Sequence, residues 1–218
     1  MTENQPFIFP KWANLIPLLI PPILLGGIAT AVFVMWYWAS PKHIEVGYQP
    51  TQPIAYSHAL HAGELGIDCR YCHTNVERGA KATLPSTDTC MNCHKVIKTE
   101  SPEIKKLQKS WKNNQPIQWV RVNAVPDYVY FDHSRHVNSG IGCATCHGRV
   151  DKMKTVHQKE PLSMAWCVDC HKTPEKHLRP VDKVTDMAWV APDQKKLGAT
   201  LKKDHYIDPG LDCSVCHR

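Results

Sequence analysis

A short motif, Cys-x-x-Cys-His, occurs five times in this sequence and uses all ten cysteines. In such a motif the two thiols add to the vinyl groups of a haem, and the histidine ligates its iron. The motif therefore predicts five covalently bound haem c groups, at positions that we number site one to site five along the chain. The motif residues are Cys69/Cys72/His73, Cys90/Cys93/His94, Cys143/Cys146/His147, Cys167/Cys170/His171 and Cys213/Cys216/His217.

Zinc sites and disulfides are the alternative uses of closely spaced cysteine pairs. Histidine makes up 13 of the 218 residues. Finding it by chance after all five pairs therefore has odds of about one in a million. Cysteines separated by two residues also form disulfides poorly and close only very small loops. The sequence thus favours haem attachment over both alternatives.

The length of the chain limits how five haems are enclosed. Residues 41–218 leave roughly 36 residues per haem, too few for five separate protein cores. We expect the haems themselves to form the core, with little regular secondary structure, and the 17 prolines agree with this. The formal net charge of +6 omits the haem carboxylates. It therefore indicates no nucleic acid or other charged partner.

An uncharged run from Leu15 to Trp38 precedes the motifs. It is longer than the ~20 residues needed to cross ~30 Å of hydrocarbon, so it predicts a single transmembrane helix in a lipid bilayer. Prolines in the first third of the run either begin this helix or kink it. Aromatic residues suited to a membrane interface close the run: Trp36, Tyr37 and Trp38.

A cleaved signal peptide is the alternative, because Ala29-Thr30-Ala31 resembles a cleavage site. This tripeptide lies within the run, and the apolar residues Val32 to Trp38 still follow it. We therefore favour an uncleaved anchor. Haem is attached to c-type cytochromes outside the energy-transducing membrane. We accordingly expect a cytoplasmic N-terminus, a bacterial inner-membrane anchor and a periplasmic haem domain after about Ser40.

An internal repeat relates the two halves of the haem domain. Tyr56-x-His58-x-x-His61, followed by Gly66-Ile67-x-Cys69, reappears as Phe131-x-His133-x-x-His136, followed by Gly140-Ile141-x-Cys143. This similarity indicates a duplication. The predicted fold is mostly α and irregular, with one N-terminal transmembrane helix before a duplicated, haem-cored domain. The predicted domains are 1–40 (N-terminal segment and anchor), 41–125 (first module, two haems) and 126–218 (second module, three haems).

Eight histidines outside the motifs are available as second iron ligands: His43, His58, His61, His133, His136, His157, His177 and His205. Histidines three apart on a helix share one face and can bind one metal, but neighbouring haems each need a ligand. The repeated pattern resembles the class III bis-histidine multihaem cytochromes. In that family the first histidine serves the next haem and the second serves the one after it. The resemblance implies the pairs His58/His73, His61/His94, His133/His147 and His136/His171.

The second ligand of site five is left open. The class III pattern points to His157 as the partner of His217. His205 competes with it, because it lies eight residues before Cys213, as His61 does before Cys69. His177 is a weaker candidate. Met164 or Met153 would give a His/Met pair, which raises the reduction potential.

Several strings beyond the haem motifs identify a more specific resemblance. They are the anchor, Pro126-Asp127-Tyr128-Val129-Tyr130-Phe131, His147-Gly148-Arg149-Val150-Asp151, Pro161-Leu162-Ser163-Met164 and the terminal Cys213-x-x-Cys216-His217-Arg218. Together they resemble the pentahaem subunit of alternative complex III, a quinol:electron-acceptor oxidoreductase of respiration or photosynthesis. The resemblance implies three partners: an iron–sulfur subunit, a polysulfide-reductase-like membrane subunit and a monohaem cytochrome c. The chain would pass electrons toward that cytochrome, a soluble carrier or an oxidase, and would not be an enzyme by itself.

Two other functions fit a membrane-anchored multihaem chain. A stand-alone quinol dehydrogenase would need an unusual ligand set on its first haem, whereas His58 predicts an ordinary one. A multihaem reductase needs an iron with a vacant face, often with lysine as the other ligand. All five motifs here end in histidine.

Overall fold

The computed structural model describes residues 9–217, so residues 1–8 of the predicted N-terminal segment and Arg218 lie outside the described part. The chain forms two compact units, one that ends at Ile44 and one that begins at Glu45. Residues 9–217 contain helices and irregular segments but no β-strand, which confirms the predicted fold class. The α-helices are α1 (Ile16–Trp38), α2 (Pro41–Ile44), α3 (Cys69–Cys72), α4 (Thr87–His94), α5 (Pro102–Lys112), α6 (His133–Asn138), α7 (Cys143–His147), α8 (Met164–Lys172), α9 (Gln194–Asp204) and α10 (Cys213–Cys216).

Helix α1 has the length and composition of a membrane-spanning helix. Together with the 3₁₀ turn Lys11–Leu15 it forms one long, apolar helical stretch with no buried residue. Its 23 residues extend for about 35 Å at 1.5 Å per residue. Pro17 lies in the first turn, where proline's missing N–H leaves no hydrogen bond unmade, and Pro21 and Pro22 follow inside the helix.

A single helical turn, α2, follows α1. Prolines favour extended backbone in residues 41–53, but Pro41 begins this turn. Proline's fixed φ also suits the first position of a helix. The Ser40 carbonyl accepts hydrogen bonds from the N–H groups of His43 and Ile44. The His43 ring lies 4.7 Å from the Trp38 ring, centroid to centroid.

The two modules repeat the same local structure. In the first module His58 is the N-cap of the π-helical turn Ala59–Glu64, which contains His61, and in the second module α6 contains both His133 and His136. Gly66 and Gly140 follow at equivalent positions with φ of 65° and 83°, a backbone region that suits glycine because it has no Cβ. Glycine is therefore repeated at this position because the backbone conformation favours it.

Few apolar side chains are buried by the polypeptide itself. The buried hydrophobic residues of the described part are Ile54, Val76, Met91, Leu107, Val137, Met153, Leu178 and Val184. A domain of this size ordinarily buries many more. Several large apolar side chains are instead exposed, among them Val96 at 80% and Val190 at 82%. Bound macrocycles would supply the apolar volume that the chain lacks.

Helices α5 and α9 each pack against another part of the haem domain. In α5, Leu107 is buried against Met91 and Ile54, while the lysines of the helix face outward. Helix α9 packs on the 3₁₀ turn Pro174–Lys176 through Gly198, where a Cβ atom would clash with the Glu175 carbonyl oxygen.

Candidate haem-binding sites

Each Cys-x-x-Cys-His motif lies on a helical turn, which puts both thiols on one face. The motifs occupy α3, α4, α7, α8 and α10. All ten cysteines are free; Cys93 and Cys213 are exposed, and the others are partly buried. Ser86 and Ser163, four residues before their motifs, are the N-caps of α4 and α8. The Ser163 hydroxyl accepts a hydrogen bond from the Trp166 N–H, whereas the Ser86 side chain makes no capping hydrogen bond to the backbone.

Three histidine pairs lie at the spacing that one iron requires. The ring centroids are 6.3 Å apart in His61/His94, 6.4 Å in His133/His147 and 6.2 Å in His136/His171. Two metal–nitrogen bonds of about 2 Å, plus the distance from each ring centre to its nitrogen, give about 6 Å. These separations fit a metal ion between each pair. Haem is therefore compatible with the residues present.

Backbone carbonyl groups orient these histidines. A carbonyl oxygen can only accept, so the Nδ1 atoms beside it carry the protons and donate. This leaves each Nε2 with the lone pair that binds iron, an arrangement usual for metal-ligating histidine. The contacts are His61 with Ser57 (2.8 Å), His73 with Thr83 (2.7 Å), His94 with Ile97 (3.1 Å), His133 with Ala80 (2.8 Å), His136 with Asp132 (2.7 Å), His171 with Gly210 (3.0 Å) and His217 with Tyr128 (3.1 Å).

One aromatic residue in each module packs against both histidines of its pair. Tyr56 contacts His58 edge-on at 4.8 Å and stacks on His61 at 4.4 Å. Phe131 contacts His133 and His136 at 4.8 Å and 4.5 Å with nearly the same angles. The aromatic side chain thus fixes the planes of two rings at once. Sequence reasoning included this aromatic residue in the repeat but assigned it no function.

His58 lies near His73, the motif histidine of site one. Burial, followed by the charge of His73, lowers the pKa of His58 to about 4. Burial also lowers the pKa of His147 in site three to about 4, with a smaller contribution from His133. Both imidazoles are therefore held neutral, which is the form that binds iron. His58 differs from His133 in one respect, because its buried Nδ1 has no hydrogen-bond partner among residues 9–217.

Within each module, the two attachment motifs lie side by side. In the first module, the Asn92 side chain of α4 donates a hydrogen bond to the Tyr71 hydroxyl of α3, 2.9 Å away. In the second, burial and the neighbouring Cys170 thiol raise the pKa of Cys146 to about 12. Site two therefore adjoins site one, and site three adjoins site four.

The two modules meet at sites one and three. A hydrogen bond between thiols lowers the pKa of Cys69 and raises that of Cys143. At the other end of the second module, burial and the nearby Cys216 thiol raise the pKa of Cys167. The five motifs therefore form one continuous series in space, in the order two, one, three, four, five.

The fifth motif is hydrogen-bonded to residues 128–130, which precede the second histidine pair. Backbone bridging joins Val129 to His217, and the Tyr130 N–H donates to the Cys216 carbonyl at 2.8 Å. Tyr128 accepts from Nδ1 of His217, so it lies away from the Nε2 atom that would bind iron. No hydrogen bond or ring contact in the described part joins His217 to another histidine.

The histidines that the sequence offers as second ligand of site five lie in three different environments. His157 is next to buried Gln158, whose backbone exchanges hydrogen bonds with Gly47 and Tyr48. His205 is exposed at the C-terminal end of α9. His177 is half-buried, and burial lowers its pKa. The pairing of His157 with His217 stays a prediction.

Repeated histidine-pair modules with Cys-x-x-Cys-His motifs define a class, the multihaem c-type cytochromes. Residues 37–120 match the class III cytochrome C family and residues 135–218 match cytochrome c3, which confirms the duplication. The chain is also 30% identical over 178 residues to a protein of Nitratidesulfovibrio vulgaris (strain Hildenborough), the menaquinone reductase, multiheme cytochrome c subunit. The match covers 72% of this chain and 82% of that protein. This chain therefore belongs to the class III multihaem cytochromes c.

Proposed function

We propose that this chain is a membrane-anchored pentahaem cytochrome c that transfers electrons within a quinone-linked membrane complex. The observation that carries the proposal is the continuous series of five attachment motifs, along which three histidine pairs have the spacing of two axial ligands on one iron. The division into an anchor (1–40) and modules 41–125 and 126–218 is part of the proposal.

The ten cysteines would attach the haems, and the five motif histidines would each bind one iron. His58, His61, His133 and His136 would be the opposite ligands of sites one to four. When bound, haem supplies reversible one-electron chemistry. The protein binds and orients it: carbonyl groups fix the histidine tautomers, and Tyr56 and Phe131 hold the ring planes.

Two strong axial ligands leave no open position on an iron. Such a site transfers electrons but does not bind a substrate for chemistry. The histidine pairs at sites two, three and four therefore favour electron transfer over catalysis by a multihaem reductase. The chain would then be an electron-transferring, non-catalytic subunit of an oxidoreductase.

The anchor and the sequence strings support a more specific proposal, membership of alternative complex III in a bacterial inner membrane. Helix α1 would cross the bilayer once, with the N-terminus in the cytoplasm and the haem domain in the periplasm. The partners would be an iron–sulfur subunit, a polysulfide-reductase-like membrane subunit and a monohaem cytochrome c. Electrons from quinol would pass through this chain to that cytochrome, a soluble carrier or an oxidase.

The similarity to a menaquinone reductase subunit favours a second candidate, in which electrons pass in the opposite direction, toward a quinone. Both candidates use the same chain of sites, so the midpoint potentials of the haems relative to the quinone distinguish them. Potentials above that of the quinone favour quinol oxidation, and potentials below it favour quinone reduction.

The test uses the full chain produced with a cytochrome c maturation system. Mass spectrometry and haem quantification should give five haems per polypeptide. The isolated subunit should not oxidise a quinol analogue, whereas the complete complex should. Fewer than five haems, or substantial quinol oxidation by the subunit alone, would contradict the proposal.

A further inference from the structure

At site five, the contacts of the His217 ring are with Tyr128, and none joins it to another histidine within residues 9–217. His217 is held through its backbone and its Nδ1 atom, both by residues 128–130. Its second ligand must come from an element that lies beside α10. An assignment of this ligand rests on the haem attachment proposed above.

Helix α8 is such an element. The Nδ1 atom of His171, in the last turn of α8, donates to the carbonyl of Gly210 at 3.0 Å, and Gly210 lies three residues before the fifth motif. The first cysteine of α8, Cys167, also lies close to Cys216 of α10. The helix is therefore next to the fifth motif through its attachment face.

Met164 lies on that same face, one helical turn before Cys167. It is the first residue of α8, and its side chain is 70% exposed although it is apolar. The first module has Thr87 at the equivalent position, directly after the N-cap Ser86. A methionine thus replaces a small polar residue in the module that has an extra haem site.

Met153, the other methionine candidate, is buried, and its carbonyl accepts from the N–H of Ala59 in the first module. Met153 therefore packs between the two modules. The Met164 side chain is exposed instead, and its flexible thioether can turn toward a neighbouring metal.

We propose that Met164 is the second axial ligand of the iron at site five, opposite His217. This would make site five the one His/Met site in a chain that otherwise has His/His pairs. A His/Met pair raises the reduction potential of a haem, and site five lies at one end of the series. Site five would then be the terminal electron acceptor of the chain, and electrons would leave from it.

The test compares the haem-loaded wild-type chain with Met164→Leu, Met164→His and the control Met153→Leu. Oxidised wild type should show the near-infrared charge-transfer band of a methionine-ligated haem. Met164→Leu should lose this band, and one of the five haems should become high-spin and bind carbon monoxide. Met164→His should stay low-spin but lose the band, and the highest midpoint potential should fall. Met153→Leu should retain the band.

Two results would overturn the assignment: absence of the band in wild type, or its persistence in Met164→Leu. Conversion of one haem to high-spin in His157→Ala or His205→Ala, with Met164→Leu unchanged, would also overturn it. The haem count separates this inference from the proposed function. Five haems that all have His/His spectra contradict the Met164 ligand alone, whereas fewer than five haems contradict the pentahaem assignment.

Discussion

His133 and His147 face each other with parallel rings, whose planes differ by 4° and whose centroids are 6.4 Å apart. The pairs at sites two and four are tilted, with angles of 59° and 42°. Ligand planes affect the electronic structure of a ferric haem, so the sites should be distinguishable by EPR spectroscopy. Parallel imidazoles should give site three the most rhombic low-spin signal.

Replacement of His133 tests this assignment. In His133→Ala the rhombic signal should disappear and one haem should become high-spin, because the iron loses one axial ligand. The haem count should stay at five, since the thioether bonds are not affected. EPR spectra and carbon monoxide binding measure the change. His43→Ala, which alters an exposed residue next to the anchor, is the control and should leave all signals intact. Loss of a tilted-pair signal instead would contradict the assignment.

Tyr56 provides a test of the aromatic contact with the histidine pair. Phe131 makes the same contacts in the second module, so Tyr56→Phe should cost less than about 1 kcal/mol. Tyr56→Ala removes the ring from both His58 and His61 and should cost about 2–4 kcal/mol. Thermal unfolding of the haem-loaded chain measures both, and low-spin haem content should fall only in Tyr56→Ala. Equal effects of the two changes would argue that the hydroxyl group, not the ring, is important.

Gly198 tests the packing of α9. A Cβ atom at this position would clash with the Glu175 carbonyl, so Gly198→Ala should destabilise the folded chain by about 1–3 kcal/mol. Lys195→Ala, at an exposed position of the same helix, is the matched control and should have little effect. Denaturant unfolding gives both values. A stabilised Gly198→Ala variant would show that the helix does not pack as described.

Acid should weaken the fold through His58 and His147. Burial lowers the pKa of each from its ordinary value of 6.5 to about 4. Between these pH values the unfolded chain binds more protons than the folded chain, so stability rises with pH in this window. The contribution is complete above pH 6.5 and is lost as the pH falls below it; iron bound to either imidazole opposes protonation and extends this loss to lower pH. Denaturant unfolding at several pH values should show this dependence, and the low-spin spectrum should persist below pH 6.5. A spectral transition above pH 6.5 would contradict it.

Features that depend on neighbouring residues were predictable from the sequence. The attachment motifs, the repeat and the apolar run each have a local signature. In α5 (Pro102–Lys112), Ile104, Leu107 and Trp111 have the spacing of one helical face, a local pattern that predicts a helix.

Features that depend on distant parts of the chain were not predictable. The acceptors of the histidine Nδ1 atoms are backbone carbonyls, such as that of Thr83, and a carbonyl has no sequence signature. The order of the sites in space also depends on tertiary contacts, such as that between Cys69 and Cys143. The second ligand of site five presents the same difficulty, because spacing along the chain favours His157 or His205, whereas the segment around α10 contacts α8, the helix that begins with Met164.

The Ala80 carbonyl accepts from both the backbone N–H and the Nδ1 atom of His133, at 3.1 Å and 2.8 Å. A histidine of the second module is therefore oriented by the backbone of the first. If the two halves were made as separate polypeptides, the second would lack this acceptor, and the imidazole of His133 would be free to rotate.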